Sequence, residues 1–145
     1  MTTMRAGVTL LPMLLALACG AYPAAHGVLD RKLAACPAAP HCVSTQASRP
    51  AVAPLPYRTS REEARERLVS IIRAMPGATI VTEAPDYVHA EFTSRRLHYV
   101  DDLEVYLDDR DKLAHLRSES RSGFYDFGAN RRRIQKIRDA FAAQK

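Results

Sequence analysis

The residues best suited to chemistry lie in two stretches, Tyr99-Val100-Asp101-Asp102-Leu103-Glu104-Val105 and Leu116-Arg117-Ser118-Glu119-Ser120-Arg121-Ser122-Gly123-Phe124-Tyr125-Asp126-Phe127-Gly128-Ala129-Asn130-Arg131. If the first is a strand, alternation puts Asp101 on the face of Tyr99 and Leu103, the expected core side, while Asp102 and Glu104 take the other face. A carboxylate on a core face needs either a bulge that turns it outward or a charge-matched partner. Arg117 and Arg121, on the next strand and at its end, are the expected partners. The second stretch brings Arg117, Ser118, Ser120, Arg121 and Gly123 to the entrance of a helix. Asp126 is expected as its N-cap, Asn130 as an inward amide satisfied by backbone groups, and Arg131 in its basic first turns. In one reading these groups cradle an anion or a carboxylate at a helix N-terminus. In the other they are an ion-pair network fixing the last strand, the turn and the last helix. The structural reading takes precedence, because buried charges serve registry as often as ligands.

Other chemistry finds less support. There is no Gly-x-Ser-x-Gly, His-Glu-x-x-His, P-loop or dinucleotide fingerprint, and no cofactor is implied. Asp101, Asp102 and Glu104 cannot all reach one calcium ion, since successive strand residues point to opposite faces. A metal trio of His89, His98 and His115 is disfavoured, because His89 and His98 alternate with apolar neighbours and read as solvent-facing. A carboxylate pair for glycosidic cleavage lacks a cleft, and the chain has no Trp to stack a sugar.

The elements that must position these groups follow from periodicity. Ser60 and Glu63 form a capping box, after which Ala64, Leu68, Ile71, Ile72 and Met75 repeat at helical spacing until Pro76-Gly77. Strands are expected over Thr79–Glu83, Tyr87–Thr93, Leu97–Leu107 and Lys112 to about Ser120, joined by short polar turns that favour antiparallel pairing. A last helix is expected from about Asp126 to Ala143, with Phe127, Asn130, Ile134, Ile137 and Phe141 on one stripe. The fold class is α+β: an antiparallel sheet of about four strands flanked by an N-terminal and a C-terminal helix on one face.

The N-terminus carries an address. Arg5 precedes an apolar run from Ala6 to Cys19, the plan of a secretory signal peptide and shorter than the ~20 residues needed to span a bilayer. Ala16-Leu17-Ala18 before Cys19 resembles a lipobox, making Cys19 the expected lipidation site and the protein a membrane-anchored one. Gly20 favours sorting to the outer membrane. Three cysteines become two once Cys19 is lipidated or removed, which leaves Cys36 and Cys42 of CPAAPHC for a small-loop disulfide. A zinc site recruiting His41 is disfavoured, since adjacent residues rarely point at one ion. The organisation expected is a signal peptide over 1–18, a tether and disulfide loop over 19–56, and one domain over 57–145. Cleavage before Cys19 leaves 20 basic and 16 acidic side chains. Arg131, Arg132, Arg133, Lys136 and Arg138 concentrate the excess, but an exported protein meets anionic envelope components rather than nucleic acid, and the plain reading is a solvated helix face.

The segments CPAAPHCVSTQA, LHYVDDLEVYLDD and LRSESRSGFYDFGANRRRIQKIR, taken as a set, resemble the family known as domain of unknown function 1499, from Cys36 to the end of the last helix. The family pattern has Asn before the second cysteine and Ser-Ser after the valine, where this chain has His41 and Ser44-Thr45. The resemblance implies an envelope or membrane-associated protein and brings no catalytic residues. The expectation is therefore an exported lipoprotein on the periplasmic side, a binding or accessory module with a small anionic site. The competing readings are an envelope-polymer hydrolase or transferase using Asp101 or Glu104 with Arg117 and Arg121, and a partner docking into a larger complex through the basic face of the last helix.

Overall fold

Leu68, Ile71 and Ile72 are buried at helical spacing, and Leu103, Val105 and Leu107 at strand spacing, so the two periodicities meet in one core. The computed structural model describes residues 26–48 and 52–144; the stretch over 1–18 expected to be a signal peptide and the expected lipidation site Cys19 lie outside the described residues. The elements run β1 (Val28–Leu29), β2 (Lys32–Leu33), β3 (Cys42–Ser44), β4 (Leu55–Pro56), α1 (Arg61–Arg73), β5 (Ala78–Glu83), β6 (Tyr87–Thr93), β7 (Val100–Asp108), β8 (Leu113–Ser120) and α2 (Ala129–Ala143). Among the described residues no helix is long and apolar enough to cross a membrane.

The fold is α+β, as expected, but the main sheet has six strands rather than about four. Its order is β3-β8-β7-β6-β5, with β4 also pairing with β8, and every pairing is antiparallel. The two extra strands come from the stretch before residue 57. Cys42–Ser44 pairs with Arg117–Glu119 and Leu55–Pro56 with Leu113–Ala114, so together they form an edge strand in two pieces along β8. Both are too short to show alternation; the unpaired amides and carbonyls of β8 select them. β1 and β2 form a separate hairpin whose turn residues Asp30 and Arg31 both have positive φ, 48° and 61°, the backbone a two-residue hairpin of right-handed twist requires.

α1 begins where the capping box places it: Ser60 accepts from the Glu63 amide at 3.1 Å. α1 and α2 pack on the same sheet face. Leu68, Ile72, Ile134 and Ile137 meet Val88, Ala90, Leu103, Val105, Leu107 and Leu116, all without solvent exposure. Burying each such side chain contributes about 1.5–3 kcal/mol.

Two boundaries differ from the sequence reading. β7 starts at Val100, leaving Leu97 and Tyr99 on a loop, 67% and 56% exposed, because a hydrogen-bonded turn from Ser94 to Tyr99 intervenes. α2 starts at Ala129, and Phe127 is 80% exposed instead of lying on the inward stripe, because Gly128 adopts a left-handed conformation (φ 76°) that breaks the helical phase upstream.

The turn after α1 depends on Gly77, whose φ is 79° and where a Cβ would lie 2.4 Å from the Thr93 carbonyl oxygen. Gly77→Ala is therefore expected to cost about 2–3 kcal/mol, from backbone strain and the clash, in urea unfolding. Ser60→Ala should cost only ~1 kcal/mol, the loss of a cap.

Candidate functional site

β7 divides the chain's chemistry between two faces. Asp101 points to the helix side, whereas Asp102 and Glu104 share the opposite face with Tyr87, His89 and Glu91 of β6 and with His115, Arg117 and Glu119 of β8, as the antiparallel register requires. The middle of this polar face is closed to solvent: His89, Asp102, Glu104, Arg117 and Glu119 are buried, and exposure is left to its edge at Glu91 and Arg121. The arm that begins at His26 lies over it.

Glu104 has no solvent exposure and is fully hydrogen-bonded. The Gly27 amide donates to Oε1 at 2.8 Å, the Tyr87 hydroxyl to Oε1 at 2.7 Å and Arg117 Nη1 to Oε2 at 2.8 Å. Burial, and then the bond to Glu104, push the Tyr87 hydroxyl well above its usual range, so it stays a donor. Arg117, 3% exposed, also holds Glu119. Its Nε has no partner among the described residues, a cost of about 1–3 kcal/mol that the two ion pairs must outweigh.

Asp102 is the second centre. His89 Nε2 lies 2.7 Å from its Oδ1, and Arg121 donates through Nε to Oδ2 at 2.8 Å and through Nη2 to Oδ1 at 2.7 Å, a two-pronged clamp. Burial pushes the Asp102 carboxyl up, but the bonds from His89 and Arg121, with His26 nearby, outweigh it and hold the group well below the ordinary aspartate value. Arg121, raised chiefly by its bond to Asp102, also pairs with Glu91. His26 completes the cluster from the arm. Its two ring nitrogens lie 3.7 Å from Asp102 Oδ1 and from Glu104 Oε2, and its ring stacks on His89 at 4.3 Å. Four carboxylates, Glu91, Asp102, Glu104 and Glu119, thus face two guanidiniums, and the two imidazoles fill the space between them.

A second network sits on the other face at the start of α2. Asp126 accepts from the amides of Gly128 (2.8 Å) and Asn130 (2.9 Å); it is not the N-cap expected of it, since Gly128 holds that position, and it caps the helix from two residues upstream. Asn130, fully buried, donates to the His41 carbonyl and to Ser120 Oγ, both at 2.9 Å, and accepts from Ser118 Oγ at 2.6 Å and from Arg133. Its partners are thus largely side chains rather than backbone groups. Arg133 also binds Asp101 Oδ2 at 2.6 Å and stacks over Phe92.

These contacts revise several expectations. The partner of Asp101 is Arg133 from the helix that covers it, not Arg117 or Arg121, whose side chains lie on the opposite face. His89 is buried rather than solvent-facing, because the arm covers its face. The structure does not gather His89, His98 and His115: His98 is in the exposed Ser94–Tyr99 loop and His115 stacks on Tyr106. Arg131 is exposed on the first turn of α2. Cys36 and Cys42 form the expected disulfide, and His41 turns its Nδ1 to the Ser120 carbonyl at 2.9 Å. The sequence reading missed His26; its only signal is a lone His-Gly upstream of a two-residue hairpin.

His26, His89 and Asp102 do place one ligand atom each within 4.8 Å of one another. The two imidazole planes, however, are stacked and only 25° apart. Two such planes converge far beyond a metal–nitrogen bond of ~2.1 Å, so one ion cannot lie in both unless a ring rotates. As arranged, the cluster joins the arm to the sheet by charge and hydrogen bonds.

The chain belongs to the family described as Protein of unknown function (DUF1499), whose model matches residues 32–141, from the start of β2 nearly to the end of α2. No curated protein and no solved structure matches it.

Two outcomes test this geometry. Glu104→Gln and Arg117→Met should each cost about 3–5 kcal/mol in urea unfolding, and the double variant less than the sum, since a broken buried pair leaves an uncompensated charge. Asp102 and Asp126 ionise below the ordinary value of 3.8 in the folded chain. Below that value the unfolded chain binds more protons, so their stabilisation is complete above it and is lost as pH falls through the folded values. A pH series of unfolding midpoints should show this acid limb, and Asp102→Asn should flatten it.

Proposed function

We propose that this chain is an exported envelope protein, cleaved before Cys19, lipidated there and held on the periplasmic side of the outer membrane, where it serves as a binding or accessory module. The observation that carries the reading is the arm. Arg31 binds Asp108 at 2.5 Å, Gly27 binds Glu104 and His26 reaches Asp102, so the chain is fixed to the sheet back to its first described residue, seven positions after Cys19. A lipid on Cys19 would hold such a domain against the membrane surface rather than on a long leash. The Cys36–Cys42 disulfide fits an oxidising compartment.

The site geometry favours accessory work over catalysis. Each guanidinium of the polar cluster is shared between two carboxylates, so a small anion there would have to displace one of Glu91, Asp102, Glu104 and Glu119. Asp101 lies on the face of β7 opposite Arg117 and Arg121 and pairs with Arg133, and Glu104 has no solvent exposure, so neither carboxylate is presented to a polymer together with the arginines a hydrolase would draw on.

Intact-mass spectrometry of the protein extracted from its own membranes tests the proposal. The expected mass is that of the chain from Cys19 plus a diacylglyceryl and an acyl group, less two hydrogens for the disulfide. A chain that starts after Cys19 without lipid, or one that retains residues 1–18, would overturn it.

A further inference from the structure

Seven large apolar side chains are strongly exposed among the described residues, and five of them, Leu97, Tyr99, Phe124, Tyr125 and Phe127, lie on two loops at one end of the molecule. The loops follow β6 and β8 and are joined where the Arg121 amide donates to the Val100 carbonyl at 3.0 Å. Neither loop is a loose excursion. Ser94 ties the first, accepting from Tyr99 N at 2.9 Å and donating its own amide to the Tyr99 carbonyl. Asp126 ties the second, and Tyr125 and Phe127 pack edge to face at 5.1 Å. Ordered loops that hold aromatic rings outward present a surface.

The chemistry of its rim indicates the partner. Arg95 and Arg96 are exposed and have no ion pair with any described residue, and Arg132 on the first turn of α2 is exposed beside Phe127, bonding its carbonyl at 2.8 Å. The one acid in these loops, Asp126, is engaged by backbone amides. Aromatic rings rimmed by arginines match a lipid headgroup layer, where ring bodies enter the interface and guanidiniums meet phosphates. The direction of the chain agrees. Arg31 lies over Asp108 and His26 over Asp102, so the arm runs along β7 and its upstream end points toward the loop end. Seven further residues to Cys19 span at most about 25 Å.

We propose that this end is a membrane-contact surface: Phe124, Tyr125 and Phe127, with Leu97 and Tyr99, enter the headgroup region of an anionic bilayer while Arg95, Arg96 and Arg132 bind lipid phosphates. It deepens the envelope reading by giving the anchored domain a fixed orientation. The chain has no Trp, so single tryptophans report the contact. The full chain carrying Phe124→Trp, or Val81→Trp on the edge strand as control, is reconstituted with vesicles of equal parts phosphatidylcholine and phosphatidylglycerol bearing brominated acyl chains. Phe124→Trp emission should shift to the blue and be quenched, Val81→Trp emission should not, and adding Arg95→Glu or Arg96→Glu should weaken the contact about fivefold or more each. Vesicles that carry the protein while Phe124→Trp stays unquenched would overturn the surface and leave the anchor reading intact. Protein that neither floats with vesicles nor shows quenching would sink both. Unquenched Phe124→Trp with a blue shift that grows with protein concentration would assign the patch to a second copy of the chain instead.

Discussion

A carboxylate with no solvent exposure in the central strand sets the terms for the polar half of this structure. Glu104 must be held by donors from several directions or pay a desolvation cost of several kcal/mol. The fold supplies Arg117 from β8, Tyr87 from β6 and the Gly27 amide from the arm, three partners that are distant in sequence. Removing water from this face makes the neighbouring demands stricter, so Asp102 gathers Arg121 and His89, and His26 bridges the two centres. The arm is thus part of the domain because the sheet's charges require a cover.

The two sides of β8 join this polar half to the apolar one. Leu116 and Ala114 enter the helix-covered core, while Ser118 and Ser120 on the same side leave it for the network around Asn130. Arg117 and Glu119 serve the opposite face. β3 lies along this part of β8, and the disulfide at its start holds the His41 carbonyl where Asn130 needs an acceptor. Sheet, edge strand and last helix are therefore fixed by one continuous set of hydrogen bonds, and the aromatic loops project from the end where that set terminates.

Much of this was legible in the residues. The Ser60–Glu63 box located α1, Tyr87–Thr93 read as the strand it is, and the alternation of β7 separated Asp101 from Asp102 and Glu104. Alternation reports a face and not its cover, so it offers Asp101 strand partners although Arg133 reaches it from the helix, and reads His89 as exposed although the arm covers it. β3 and β4 have two or three residues each and exist only because β8 offers an edge. Extending the helical period across Gly128 places Phe127 inward, but the left-handed backbone of Gly128 resets the phase. His26 had no local signal; its role depends on contacts with residues 63 or more positions away.

Amide hydrogen exchange resolved along the arm tests the central claim most directly. If the charged face is closed as described, the Gly27 amide and the amides of the β1–β2 hairpin exchange well below coil rates in the native chain. Glu104→Gln should then release them before the core under the helices loosens. Arm amides that exchange at coil rates in the native protein, while β6, β7 and β8 remain protected, would contradict the account.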